Sequence, residues 1–217
     1  MLECSEQLVQ NIYFILEGVY LTIPCSVISM IFGLIIGLVI AVMRFQDHRI
    51  LKYFTIIYVS IFRGTPVLLQ LSVIYFILPG VGITISVFWS TVVAFSLNSG
   101  AYISEIVRSG INSVDKGQFD AIKALGIKFN SYMKDIILPQ ALRNVFPALV
   151  NEFSTLLKES ALISVIGGMD IMRRAQMISA ETYSYFEPLI IAGSIYYILI
   201  LIITVFTKIL EKLLIIK

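Results

Sequence analysis

Residues 18–43 read GVYLTIPCSVISMIFGLIIGLVIAVM, 26 residues without a single charged side chain. A helix needs about 20 apolar residues to cross about 30 Å of hydrocarbon, so this stretch alone is long enough to span a bilayer. The rest of the chain agrees with it. Of 217 residues, 58% are hydrophobic and 14% charged, and the mean hydropathy is +0.92. Soluble domains run at about 45–50% apolar and about 25% charged. One aqueous core cannot hide this much apolar surface, which excludes a soluble globule and intrinsic disorder. Two cysteines exclude a disulfide scaffold. A formal net charge of +2 gives no ground for a nucleic-acid partner. The two-residue alternation of a membrane barrel is absent, which leaves an all-α integral membrane protein.

Four more stretches reach spanning length: 53–78, 83–107, 144–168 and 188–207. The predicted organisation is an external segment 1–17, a transmembrane domain 18–208 of five helices, and a cytoplasmic tail 209–217. Orientation follows from Lys and Arg. Arg44, Arg49 and Lys52, then Arg108, Lys116, Lys123, Lys128, Lys134 and Arg143, then Lys208, Lys212 and Lys217 all fall on one side. The opposite side holds Arg173 and Arg174 among Glu3, Glu6, Glu17, Asp170, Glu181 and Glu187. The positive-inside rule therefore predicts an external N-terminus and a cytoplasmic C-terminus. Without a basic residue before the first apolar run, the start does not read as a secretory signal, and the mature chain is expected to begin near Met1. Cys25 reads as a small apolar filler, and Cys4 as a lone external thiol. His48 is the only histidine, so no metal site is expected.

The connection at 109–141 is far longer than a tether needs to be. Val114, Phe119, Ala121, Ile122 and Leu125 recur at helical spacing up to Gly126; Tyr132, Met133, Ile136 and Ile137 resume it before Pro139. Two short amphipathic helices broken at a glycine are predicted, lying on lipid or forming a platform for a cytoplasmic partner. The residues then carry a resemblance. Asp120-Ala121-Ile122, Gly126, Ile136 and Leu138-Pro139 match the spacing of the "EAA" loop of binding-protein-dependent ABC importer permeases, with Asp for Glu and Ile for the second Ala. Phe62-Arg63-Gly64-Thr65-Pro66 with Gln70, and the run from Ser99 to Arg108, SGAYISEIVR, resemble the polar amino-acid branch, the histidine- and glutamine-type permeases.

That resemblance implies an ABC type-1 transmembrane domain in a bacterial inner membrane. Asp120, Ala121, Gly126, Leu138 and Pro139 would serve coupling to a separate cytoplasmic ATPase subunit. An external binding protein and a second permease, identical or related, complete the expected partners besides the bilayer. The cargo implied is a polar amino acid, glutamine first, with arginine, histidine, glutamate and cystine open. The chain has no G-x-x-x-x-G-K-[ST] phosphate loop. No cofactor is expected on it, ATP-Mg belongs to the partner, and the chain is not expected to be an enzyme. A rhomboid-type protease is excluded, since Asn98-Ser99-Gly100 lacks the preceding Gly and no span carries a His. The competing reading is an ATP-independent pore or scaffold subunit.

Ionisable groups inside spans cost about 2.5–3.5 kcal/mol each at the bilayer centre, so they mark pathways or pairs. Arg63 lies about ten residues into its span, roughly 15 Å deep, where Gly64 and Pro66 should break the helix. It either ties down a helix end or a neighbouring subunit, or serves substrate or gating. Asn151, Thr155 and Lys158 share one helical face, and Glu152, Thr155 and Glu159 the adjoining one. A zwitterion needs an acceptor for its ammonium, from Glu152 or Glu159, and a donor for its carboxylate, from Lys158. The alternative is an internal Lys–Glu pair. Asn98, Tyr102 and Glu105 form a weaker strip. Asn98 is deep enough to line a pathway, and Glu105 is expected to pair with Arg108 or the long loop.

Overall fold

The computed structural model describes residues 2–46, 48–126 and 129–215, with the side chains of 2–5, 123, 129, 130 and 210–215 outside the description. Cys4, Glu3, Lys123, Lys128, Lys212 and Lys217, used above for charge and topology, therefore lie outside the described side chains. Among the described residues there are helices and turns and no strand.

The first apolar run forms α2, Val19–Phe45, preceded by α1, Leu2–Leu16, with Glu17-Gly18 at the joint. A Cβ on Gly18 would lie 2.4 Å from the backbone nitrogen of Ile171, so only glycine lets this joint approach the following elements. The second predicted span is broken. α3, Arg49–Gly64, ends at the Gly-Thr-Pro sequence, and α4, Val67–Ser72, resumes through a π-turn at Val73–Ile77 and a 3-10 turn at Leu78–Val81. The two halves meet at 99°. Pro66 forces its predecessor out of the helical region, and Thr65 is extended at φ −121° and ψ 144°.

α5, Val87–Asn112, starts at Ser86, whose hydroxyl accepts from the Trp89 amide, a side-chain cap. It is the central helix and packs most extensively on α2. The seam between them is made of small residues. A Cβ on Gly37 would sit 2.6 Å from Ile103 Cγ2, and one on Gly100 would sit 2.7 Å from Ile36 Cγ2. Lipid tails are as apolar as leucine, so helices in a membrane gain by close backbone approach rather than by leaving the solvent.

The 109–141 connection holds α6, Lys116–Ala124, then Gly126 at φ 64°, then α7, Phe129–Tyr132. The second helix does not stop at Pro139. A π-turn at Met133–Ile137 carries it into α8, Leu138–Glu159, because a proline in the first turn has no intrahelical N–H bond to lose. α8 runs on as a 3-10 turn, Ser160–Ile166, ended by Gly167 at φ 81°. α9, Ile171–Thr182, is an additional amphipathic helix capped by Asp170, and α10, Phe186–Ile215, closes the fold. Two helical stretches, Glu6–Phe45 and Phe186–Ile209, are long and apolar enough to cross a membrane, and the bent pair is a third if taken as one span. α5 and α8 have the length, 26 and 22 residues, but carry the polar positions discussed next.

Candidate functional site: two polar strips and a platform

The platform is built by packing. Val114, Ile122, Ile137 and Ala141 form a small core that folds α6 back onto the start of α8. Gln140 Nε2 donates to Gln118 Oε1 at 2.9 Å, and Asn144 Nδ2 donates to Ser113 Oγ at 2.7 Å. Gly110 lets α5 and α8 touch, since a Cβ there would lie 2.2 Å from Val145 Cγ2. Asp120, Ala121, Gly126, Leu138 and Pro139 are all exposed, and the apolar partners behind them are not. Asp115, Gln118, Ala121, Leu125 and Ile136 border a shallow groove of about 400 Å³, with Leu125 74% exposed at its rim.

The first polar strip joins α3, α4 and α5 at the broken span. The helix break frees carbonyls, and the strip satisfies them. Asn98 Nδ2 donates to Phe62 O at 2.8 Å and to Gln70 Oε1 at 3.2 Å. Gln70 Nε2 donates to Phe62 O at 3.0 Å and Thr65 O at 3.1 Å. Non-helical backbone at membrane depth persists only where protein or a cavity satisfies it. Asn98 is therefore occupied with the break, and Tyr58 adds a hydroxyl donated to Leu97 O at 2.6 Å.

Arg63, the residue before the break, reaches Glu105 with 3.7 Å between charged atoms and lies 5.1 Å over the Tyr102 ring. Glu105 is the centre of a cluster. Arg44 of α2 donates to its Oε1, and Arg108 donates to its Oε2 at 3.1 and 2.6 Å. The pairing of Glu105 with Arg108 is the contact expected from the sequence; the arms from Arg44 and Arg63 are additional. Arg44 had no distinguishing signal beyond its place in a basic turn.

The second strip lies on α8. Asn151 and Lys158 are exposed, and Glu152, Thr155 and Glu159 are half-buried. Thr155 Oγ1 donates to Asn151 O at 3.0 Å, a bond within the helix. Among the described residues no ion pair joins Lys158 to Glu152 or Glu159. Leu156 and Leu157, which separate these groups along the chain, are buried. Three charges thus stand on one helix without neutralising one another at contact distance.

At the other end of the bundle Arg174 donates to Glu17 Oε2 at 2.7 Å and to Phe14 O at 3.0 Å, and stacks 4.8 Å over the Phe14 ring. Asp170 is fully buried. It accepts from the Met172 and Arg173 amides and from the Tyr196 hydroxyl at 3.3 Å, and burial pushes its carboxyl up to about 6. Among the described residues no group of three or more His, Cys, Asp or Glu is placed to hold a metal ion.

The chain is 56% identical, over 93% of both lengths, to a protein of Rickettsia conorii provisionally named a glutamine transport system permease protein. It is 51% identical, over 94% of both, to the arginine transport system permease protein ArtQ of Bacillus subtilis. Among solved structures it resembles an amino acid ABC transporter crystallised with histidines, at 38% identity and a TM-score of 0.90, covering 95% of this chain and 96% of that one. Residues 33–216 match the family of binding-protein-dependent transport system inner membrane components, and the chain belongs to that family.

Proposed function

We propose that this chain is the permease subunit of an ATP-binding-cassette importer for a polar amino acid, glutamine first. It forms five spans with the N-terminus outside, α5 and α8 being spans whose polar faces line protein and pathway rather than lipid. A cytoplasmic ATPase subunit docks on the Asp120–Gly126 and Leu138-Pro139 platform, an external binding protein delivers the amino acid, and a second permease, identical or related, completes the pathway. The chain is a transport component, not an enzyme. The inner membrane of a bacterium is its place.

The observation that carries the substrate reading is the unpaired charge on α8. Lys158 makes no ion pair among the described residues, while Glu152 and Glu159 share its helix half-buried. Uncompensated charges inside a membrane are costly, and a zwitterionic cargo supplies the missing counter-charges: its ammonium to Glu152 or Glu159, its carboxylate to Lys158. Arg63 and Asn98 keep smaller roles, since both are engaged by the broken span and Glu105. The relatives named for glutamine and arginine support the same substrate class.

The test is uptake of labelled glutamine and arginine by cells lacking and regaining the chain, with Glu152→Gln and Lys158→Met alongside. Both variants should lose uptake while the complex assembles and hydrolyses ATP at its basal rate. Restored uptake in a variant neutralised at both Lys158 and Glu159 would instead identify a structural pair, and the pocket reading would fail.

A further inference from the structure

Ser and Thr side chains inside a helical bundle ordinarily give their hydroxyl hydrogen to a backbone carbonyl one turn back. Thr91 does so on Val87 O, Ser104 on Ala101 O and Ser154 on Val150 O. Ser99, in the middle of α5, does not. It is fully buried, and its hydroxyl closes no hydrogen bond. Thr22 and Ser29 of α2 share that state, but Ser99 is the one whose hydroxyl meets a carboxyl. Across the contact between α5 and α8 it interacts with Glu152, stopping short of a well-formed bond.

The other side of Ser99 is closed. Gly33 of α2 lies so near that a Cβ there would stand 3.1 Å from Ser99 Cβ and 3.2 Å from Ser99 Oγ. The hydroxyl can therefore be satisfied by its own helix, which it does not use, or from α8. A buried hydroxyl without a partner weakens a fold, and alanine would fill the same place without that penalty. Packing alone does not call for serine here.

We propose that Ser99 is a positioning residue for the amino-acid cargo: its hydroxyl anchors one oxygen of the Glu152 carboxylate, so that the other oxygen faces the cargo ammonium. This rests on the reading that Glu152 receives that ammonium. A carboxylate has two accepting oxygens, and its terminal torsion is broad, with no sharp preferred angle. Holding one oxygen from α5 fixes the plane in which the second accepts, and a hydrogen bond to an ionised group is of the stronger kind. The bond closes as the cargo draws Glu152 into its accepting orientation. Ser99 itself is too deeply buried to touch the cargo.

The experiment uses the permease assembled with its ATPase in detergent. It measures displacement of labelled glutamine by glutamine and by glutaramate, which is glutamine without its ammonium. The same measurement is made with labelled arginine and its ammonium-free analogue. The unmodified complex should prefer the ammonium-bearing compound by about 30-fold or more, and Glu152→Gln should bring the two within about twofold. Ser99→Ala should cut the preference by about three- to tenfold. It should leave binding of the ammonium-free compound unchanged, since that compound still gives its carboxylate to Lys158. The melting temperature of Ser99→Ala should equal or exceed that of the unmodified complex, because no formed bond is lost. An undiminished preference in Ser99→Ala overturns the proposal. So does a lower melting temperature with both compounds weakened alike, which would make Ser99 a packing residue. Failure of the Glu152 reading looks different: neither amino acid is preferred by the unmodified complex, or Glu152→Gln keeps the preference, and the assignment of Ser99 falls with it. Loss of the preference in Glu152→Gln but not in Ser99→Ala removes Ser99 alone.

Discussion

Glu105→Gln tests the bundle's inner architecture most directly. Glu105 exposes 16% of its side chain and Arg44 26%, so this pair, which ties α2 to α5, is largely desolvated. Removing one partner of a buried pair costs about 3–5 kcal/mol, because the other charge is left stranded; partial exposure puts this case below that range. Arg108 is 39% exposed and on the same helix as Glu105, and such pairs contribute about 0.2–1 kcal/mol. Arg63, 42% exposed and at 3.7 Å, adds no more than that. The expected loss is about 2–4 kcal/mol, with the Arg44 arm the largest part. The assay is thermal unfolding of the detergent-solubilised complex for Glu105→Gln, Arg44→Gln and the double variant. The double should be more stable than the sum of the singles by about 1–3 kcal/mol, since no unpaired charge remains. Additivity within about 0.5 kcal/mol would refute the idea that this pair holds α2 to α5. Arg108→Gln, in the same assay, should cost less than about 1 kcal/mol.

Gly37→Leu should lower the yield of folded complex, costing about 1–3 kcal/mol or more by overpacking, because Ile103 Cγ2 lies 2.6 Å from the added Cβ; normal yield and melting would contradict the close α2–α5 seam. Cysteines placed at Gln7 and Ser131 should react with an impermeant thiol reagent from opposite sides, and labelling of position 131 from outside intact cells would invert the proposed topology. Gly126→Trp should weaken ATPase association, because the residue sits at φ 64° in an exposed turn where a side chain is strained; pull-down of unchanged ATPase would remove the docking role. Asp170 carries a pH signature. Its carboxyl lies at about 6 in the fold against an ordinary 3.8, so the folded state takes up the proton more readily than the unfolded one. Acidification from pH 7 to 5 therefore stabilises the fold at this site by about 1.4 kcal/mol, and by about 3 kcal/mol only once the pH lies below the ordinary value of 3.8 as well. Asp170→Asn keeps a good helix cap and should remove that gain, so the melting difference from wild type should change across this window; a constant difference would show that Asp170 does not titrate there.

The membrane class, the helical architecture and the broken second span were legible in the sequence for simple reasons. Apolar length has no other use on this scale, and Gly64-Thr65-Pro66 cannot continue a helix. The two short helices of the 109–141 connection were legible because Gly126 interrupts a periodic pattern. The continuation of α7 through a π-turn into α8 was not, because Pro139 reads as a stop unless one knows it opens a helix. α9 was not read either. Its apolar face, Ile171, Ala175 and Ile178, is short and sits among Arg173, Arg174 and Glu181, and composition alone presents it as a polar loop. The Glu105 cluster was half legible. The i, i+3 spacing to Arg108 is written in the chain, whereas Arg44 lies 61 residues away and meets Glu105 only because the glycine seam brings α2 onto α5.

The charges of this protein separate into two kinds once their partners are known. Glu17 with Arg174, Asp170 with its two amides and Tyr196, and Glu105 with three arginines each hold different elements or a helix end in place. Each is satisfied within the chain, and each sits at a joint: the kink between α1 and α2, the start of α9, the end of the broken α3. Glu152, Lys158 and Glu159 differ. They belong to one helix and bridge no two elements by an ion pair. Among the described residues Lys158 makes no ion pair. Asn98, by contrast, is satisfied within the chain, by the carbonyl freed at Phe62 and by Gln70. Gln70 and Asn98 make the break self-sufficient, so the bend is held by hydrogen bonds within the chain.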